Sequence, residues 1–433
     1  MEIKTVTILG ANGTMGKNVS AIFASFGKTK VYMVCRDMEK AQKAKEDAYM
    51  SVRAETIESL LIPITYEKME KAISESDLVL ELLSENIDTK KRMYQKIKPF
   101  LKEDTILASG TSSISIKELS KEFGNNANNF FGIHFFNPPY NMTLCELITH
   151  SKEQEQIENY LESYLQENLK RTVVKVKDTP GFLGNRIGFF FINEALKLAN
   201  ENKDKGGIAY IDNILGCFTG RNMPPLLTAD FVGLDVSKAI IDYIYNNAKT
   251  DAFREYFEIP DFVNKLIEEG KLGKKVGKGL FYQDVENGKN YLYDISSEKY
   301  IERENYNFQF SNEMIKNIRI GKYDEAAKIL IDDKSKEATI CKQMILKYIV
   351  YSIYISKEKT QDVYSCDNAM ATGFSWLPPI AYIDFLGGKD QVKEMAEKYL
   401  EKDWINIINK YNIFDIIKRE SKYDYRLFLK ARN

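Results

Sequence analysis

The chain has 433 residues, of which 44% are hydrophobic and 28% charged, and its formal net charge is −1. It is too long for one ordinary core and suits a globular protein of two or three domains. Lysine and arginine spread through a near-neutral chain argue against a nucleic-acid binder, and no apolar run is long enough to span a bilayer.

The N-terminus runs directly into a strand and a glycine loop, with no signal peptide expected. Lys4 to Leu9 reads as a buried parallel strand. Gly10-Ala11-Asn12-Gly13-Thr14-Met15-Gly16 follows, and apolar residues then recur at helical spacing at Val19, Ile22, Phe23 and Phe26. Strand, glycine turn and helix make the phosphate-binding opening of a dinucleotide fold. The spacing is G-x-x-G-x-x-G, one residue longer than the usual form. Gly10, Asn12, Gly13, Thr14, Met15 and Gly16 are therefore candidate cofactor contacts.

A second strand, Val31 to Val34, ends in Cys35-Arg36-Asp37. An acid at this point meets the ribose of NAD, whereas an arginine accommodates the extra phosphate of NADP. Arg36 and Asp37 are both candidates, and Asp37 has a second reading as the cap of the lysine-rich helix over residues 38 to 58. Asp77 to Leu83 and Thr105 to Ala108 read as further strands. The second leads into Ser109-Gly110-Thr111-Ser112-Ser113, at a strand end where open α/β sheets bind ligands.

Phe130 to Ile133 is an apolar run that delivers His134, one of two histidines, to a turn at Asn137-Pro138-Pro139. Thr143 to Ile148 is a second run with one carboxylate, Glu146. Pairing across the turn brings Glu146 within reach of His134, and a histidine oriented by a carboxylate is a general base of fixed tautomer. The five cysteines are far apart without metal spacing, so no metal is expected, and reduced thiols in a cytoplasmic protein are.

The glycine loop, the Ser-Gly-Thr-Ser-Ser loop, GIHFFNPPYNMTLCELI and DTPGFLGNRIGFFFINEA (Asp178 to Ala195) resemble, in this order, the L-3-hydroxyacyl-CoA dehydrogenase family. The likeness implies oxidation of the 3-hydroxyl of an acyl-CoA, with hydride passing to NAD. By position it implies His134 as the base, Glu146 as its partner, Ser112 and Asn185 near the reacting oxygen, and Glu85 and Lys90 on the cofactor side. It also suggests an enoyl-CoA hydratase as a pathway partner. The segment before Asp77 is shorter than in typical animal members, and Gly110 stands where the family often has asparagine. The shorter segment keeps open a non-CoA hydroxy acid or a carnitine-like alcohol as substrate. A non-catalytic dinucleotide-binding protein is the third reading.

Beyond this lies a long apolar helix from Phe182 to Asn200, then Ile211-Asp212-Asn213-Ile214, Met223-Pro224-Pro225 and Ala229-Asp230-Phe231-Val232-Gly233. After a polar connector over about residues 284 to 311 the pattern returns as Cys366-Asp367-Asn368, Leu377-Pro378-Pro379 and Ile383-Asp384-Phe385-Leu386-Gly387. In the second copy Cys341-Lys342-Gln343 replaces Gly184-Asn185-Arg186. The expected fold is an α/β Rossmann-type domain over 1–178, then two related all-α domains over 179–311 and 312–433. The apolar helices at 182–200 and 338–355 are expected to pack together as a pseudo-dimer within one chain.

Overall fold

The computed structural model describes residues 2–286, 288–304 and 306–432. Two positions of the expected connector, 287 and 305, lie outside them. The chain forms two compact units, Met1–Phe182 with Lys359–Gln361, and Leu183–Glu358 with Asp362–Asn433.

The first unit is built on eight strands: β1 (Thr5–Leu9), β2 (Lys30–Cys35), β3 (Leu61–Thr65), β4 (Leu78–Glu81), β5 (Ile106–Ser109), β6 (Phe130–Phe135), β7 (Leu144–Thr149) and β8 (Thr172–Lys177). Their order is β3-β2-β1-β4-β5-β6-β7-β8. The first six are mutually parallel, β7 is antiparallel to β6, and β8 is parallel to β7. Helices α1 (Thr14–Ser25), α2 (Met38–Ser51), α3 (Met69–Glu75), α4 (Ile87–Ile97), α5 (Ile116–Ser120) and α6 (Glu155–Ser163) complete the unit. Continuous β-branched and aliphatic runs are buried all along β1, β2 and β4, as strands covered on both faces require. The chain leaves β1 toward β2 on one side, and β4 flanks it on the other. This is the topological switch point, where ligands lie beyond the strands' carboxyl ends.

Two strands were not legible. β3 is only five residues with a proline inside, Leu61-Ile62-Pro63-Ile64-Thr65, and it forms one edge of the sheet. β8 alternates valine with lysine and forms the other edge, where Val176 makes a bridge with Thr360. The helix expected to reach residue 58 stops at Ser51, and a tight turn over Glu55–Leu60 leads into β3.

The second unit contains α7 (Gly184–Glu201), α8 (Gly207–Ile214), α9 (Pro225–Val232), α10 (Leu234–Asn247), α11 (Asp261–Glu268), α12 (Gln309–Arg319), α13 (Tyr323–Asp332), α14 (Lys336–Lys359), α15 (Ser365–Gly373), α16 (Pro379–Phe385), α17 (Lys389–Tyr399) and α18 (Lys402–Tyr411). The region read as a polar connector holds two strands, β10 (Asn290–Asp294) and β11 (Lys299–Glu302), which form an antiparallel meander with β9 (Phe281–Gln283) just before it. Tyr300 packs edge-on against Tyr282 and Tyr293 across the meander. α7 and α14 are both apolar on nearly every side, and Phe190 stacks on Tyr351 at 4.1 Å. Buried Arg221 lies over the rings of Phe191 (3.8 Å), Trp376 (4.9 Å) and Tyr348 (5.2 Å).

Both proline-started helices carry the same device. Asp212 accepts from the backbone N–H of Leu226 (2.8 Å) and Leu227 (3.0 Å) at the start of α9. Asp367 accepts from Ile380 N (2.8 Å) at the start of α16. A carboxylate meets the unpaired N–H groups of a helix start in each case. Burial pushes both carboxyls up to about 7, against the backbone donors that favour the ionised form.

Candidate active site

The glycine loop follows β1. Gly10 has φ +83°, and its N–H and that of Ala11 both donate to Val34 O, folding the loop back on β2. A Cβ at Gly16 would lie 2.3 Å from Gly10 O, so only glycine allows α1 to start this close to the turn. Gly13 caps α1 without a side-chain bond, which leaves the first turn to receive an anion. Asn12, Thr14 and Met15 line the same turn, and Asn12 and Thr14 are exposed. This cradle fits the pyrophosphate of a dinucleotide.

At the end of β2, Asp37 is engaged as the cap of α2. Its carboxylate accepts from Lys40 N (2.8 Å) and Lys40 Nζ (2.9 Å), and these bonds hold its carboxyl below the ordinary range. Arg36 is exposed.

The second part of the site begins with strand parity. Antiparallel pairing of β6 and β7 sets His134 directly opposite Glu146, so both side chains leave the same face. His134 Nδ1 lies 2.7 Å from Glu146 Oε2, and Glu146 is fully buried. An ionised carboxylate only accepts, so Nδ1 carries the proton and Nε2 is the bare nitrogen. Nε2 faces Ser112 Oγ at 3.2 Å. Two rings flank the imidazole, Phe136 at 4.6 Å and Phe182 at 5.7 Å. His134 is 4% exposed.

The Ser112 loop is held by Glu85. One carboxylate oxygen accepts from Thr111 Oγ1 (2.5 Å), Ser112 N (3.0 Å), Ser113 N (2.9 Å) and Ser113 Oγ (2.8 Å). Desolvation raises this carboxyl, but Lys90 and the Thr111 and Ser113 hydroxyls outweigh it, and the net shift is downward. Lys90 is 1% exposed. Its Nζ lies 2.7 Å from Glu81 and 3.7 Å from Glu85, so it supports the loop from beneath.

Glu81 is the residue the sequence reading missed. It also accepts from Tyr94 OH (2.7 Å), Ser109 Oγ (2.8 Å) and Leu83 N (2.6 Å), making it the hub under the strand ends. The only signal was a carboxylate set inside the apolar run Leu78 to Leu83.

Asn185 belongs to the second unit. It is the second residue of α7 and is 7% exposed. Its neighbour Arg186 is buried and paired with Asp251 at 2.6 Å, and Tyr351 OH donates to the same Asp251 oxygen at 3.0 Å. At the segment expected to repeat it, Lys342 is fully buried and donates to the carbonyls of Asp333 (2.6 Å) and Ile331 (3.3 Å). That position holds the end of α13. Among the described residues, no helix is long and apolar enough to cross a membrane, and no group of His, Cys, Asp and Glu is placed to hold a metal ion.

The arrangement has counterparts among known proteins. Residues 5–179 match the model of the 3-hydroxyacyl-CoA dehydrogenase NAD-binding domain, and residues 181–283 match that family's C-terminal domain. A putative fatty acid oxidation complex trifunctional enzyme of Rickettsia felis is 30% identical over 391 residues. That match covers 87% of this chain, and the chain spans about half of that relative, 52%. The mitochondrial hydroxyacyl-coenzyme A dehydrogenase of Sus scrofa is 31% identical, over 64% of this chain and 91% of that protein. The crystal structure of a 3-hydroxybutyryl-CoA dehydrogenase from Escherichia coli shares the fold at 19% identity and a TM-score of 0.68, covering 96% of this chain and 99% of that one. The glycine cradle and the His134–Glu146 pair both fall within the matched NAD-binding domain, nearly the whole pig enzyme is covered, and the chain belongs to the 3-hydroxyacyl-CoA dehydrogenase family, its first unit being the family's NAD-binding domain.

Proposed function

We propose that this chain interconverts (3S)-3-hydroxyacyl-CoA and 3-oxoacyl-CoA. The observation that carries the reading is His134, with Nδ1 at 2.7 Å on Glu146 and Nε2 at 3.2 Å from Ser112 Oγ. NAD, when bound in the glycine cradle, supplies the hydride acceptor. In the oxidation direction His134 Nε2 takes the proton of the 3-hydroxyl, and Glu146 stabilises the imidazolium that forms. Ser112 hydrogen-bonds the reacting oxygen and orients it, and the family likeness gives Asn185 the same role. A positioned base of this kind contributes about 10²–10⁴-fold in rate. Glu85 sets the Ser112 loop, and Lys90 acts on the cofactor side through Glu85.

The chain is read as three domains, 1–178, 179–311 and 312–433. The matched roles of Asp212 and Asp367 support treating the last two as copies. The stacking of α7 on α14 supports a pseudo-dimer of these copies within one chain. Five unpaired, buried thiols support a cytoplasmic setting. The trifunctional relatives support a hydratase that supplies enoyl-derived substrate to this step.

The test is spectrophotometric reduction of acetoacetyl-CoA with NADH and, separately, NADPH. Turnover with NADH is expected. Activity confined to free hydroxy acids or carnitine-like alcohols would overturn the CoA substrate, and tight NADH binding without turnover on any of them would overturn the enzyme reading.

A further inference from the structure

The chain reaches the surroundings of His134 a second time at Thr179-Pro180-Gly181-Phe182. Thr179 O accepts from Phe182 N at 3.0 Å, with proline in the second position and Gly181 at φ +72° in the third. Those residues suit a type II turn. Phe182 then continues at φ +49°. Left-handed backbone is natural to glycine and tolerated by asparagine, and at a bulky aromatic residue it is an outlier. A second glycine at this position would satisfy the backbone with less strain. What glycine would not supply is the ring. That ring is fully buried, with its centroid 5.7 Å from the His134 imidazole and its plane inclined at 52°. Phe136 flanks the same imidazole at 4.6 Å and 59°. Strained residues persist where the surroundings over-determine them, and they gather at sites of chemistry.

We infer that Phe182 is a positioning residue for His134. Rotation about the Cβ–Cγ bond would swing Nδ1 off Glu146 and Nε2 off Ser112 together, and the two aromatic walls oppose that rotation. Nδ1 then stays on Glu146 while Nε2 stays aimed past Ser112 at the substrate oxygen. This inference rests on the proposed role of His134 as the base.

Phe182→Leu keeps an apolar side chain and removes the flat wall. Its kcat with acetoacetyl-CoA should fall about ten- to a hundredfold, the scale on which misplacement of a reacting group acts, while KM for NADH stays within about twofold. Combined with His134→Gln it should cause no further loss, because both changes act on one unit. A readout independent of turnover is available because the chain has two histidines. Nitrogen NMR of the His134 imidazole should show one protonated and one bare nitrogen, well separated, in the unsubstituted protein. The two signals should move toward each other in Phe182→Leu. Should that variant not fold, Phe136→Leu removes the opposite wall and should give the same two effects. Undiminished kcat together with unmoved nitrogen signals, whatever the melting temperature, would show that the ring is packing alone. An unsubstituted protein inactive on acetoacetyl-CoA would overturn the base reading, and the nitrogen signals would still decide the positioning role.

Discussion

At the scale of single residues, the His134–Glu146 pair makes two demands that mutants separate. His134→Gln removes the base and leaves the glycine cradle on other strands untouched. Its kcat should fall by about 10²–10⁴-fold, with NADH affinity by fluorescence titration within about threefold. Substantial residual turnover on every accepted substrate would remove His134 from the chemistry. Glu146→Gln keeps the shape but loses the charge that stabilises the imidazolium, so kcat should drop with KM nearly constant. The pair was legible because a turn between two apolar runs, with period-two side chains, leaves only one carboxylate able to face the histidine. The support beneath it was not legible. Nothing in the sequence says that Lys90 is turned inward onto Glu81, because burial of a charged residue depends on partners brought from β4, β5 and α4. Cofactor choice also belongs here. With Asp37 bonded to Lys40, NADH is still expected to bind more tightly than NADPH, and Arg36→Ala should leave NADH affinity within about threefold. Tighter NADPH binding that is lost in Arg36→Ala would reverse the expectation.

At the scale of elements, the helix starts at α9 and α16 carry a pH dependence. Asp212 and Asp367 have folded-state values raised to about 7 by burial, against 3.8 for an ordinary aspartate. A raised value means that folding favours the protonated form. Their contribution to stability is therefore fully present below about pH 4 and is lost as pH rises through about 7. Denaturant unfolding from pH 4 to 8 should show this as a slope present in the native sequence and flattened in Asp212→Asn/Asp367→Asn. The asparagines also add a pH-independent offset, since their amide groups face backbone N–H donors, so the slope is the quantity to read. Equal slopes would mean that the helix-start donors hold both carboxyls ionised. The Asp-Asn and Pro-Pro pairs were legible as a repeat but not as capped helix starts, because each aspartate lies on the preceding helix and meets the N–H groups only once the two helices are packed. The meander of β9 to β11 went unread because its strands are three to five residues long and mix tyrosine with polar residues, which gives weak alternation.

At the scale of the whole molecule, α7 and α14 cover each other. A chain ending at residue 311 would uncover Phe190, which stacks on Tyr351, and Phe191, which packs edge-on against Tyr348. Light scattering of that truncated chain should report dimers or aggregates. A truncated chain that stays monomeric and fully active would show that residues 312–433 do not cover the first helical part and that the connector is merely a tether. The same chain manages a different exposure at the two margins of its sheet. A row of unsatisfied N–H and C=O groups on an edge strand is a template for another molecule's strand. Pro63 interrupts the row of donors in β3, and Thr360 occupies part of the free side of β8 beside the charged Lys175 and Lys177. Both margins of this eight-stranded platform are thus poor seeds for sheet-to-sheet growth between molecules.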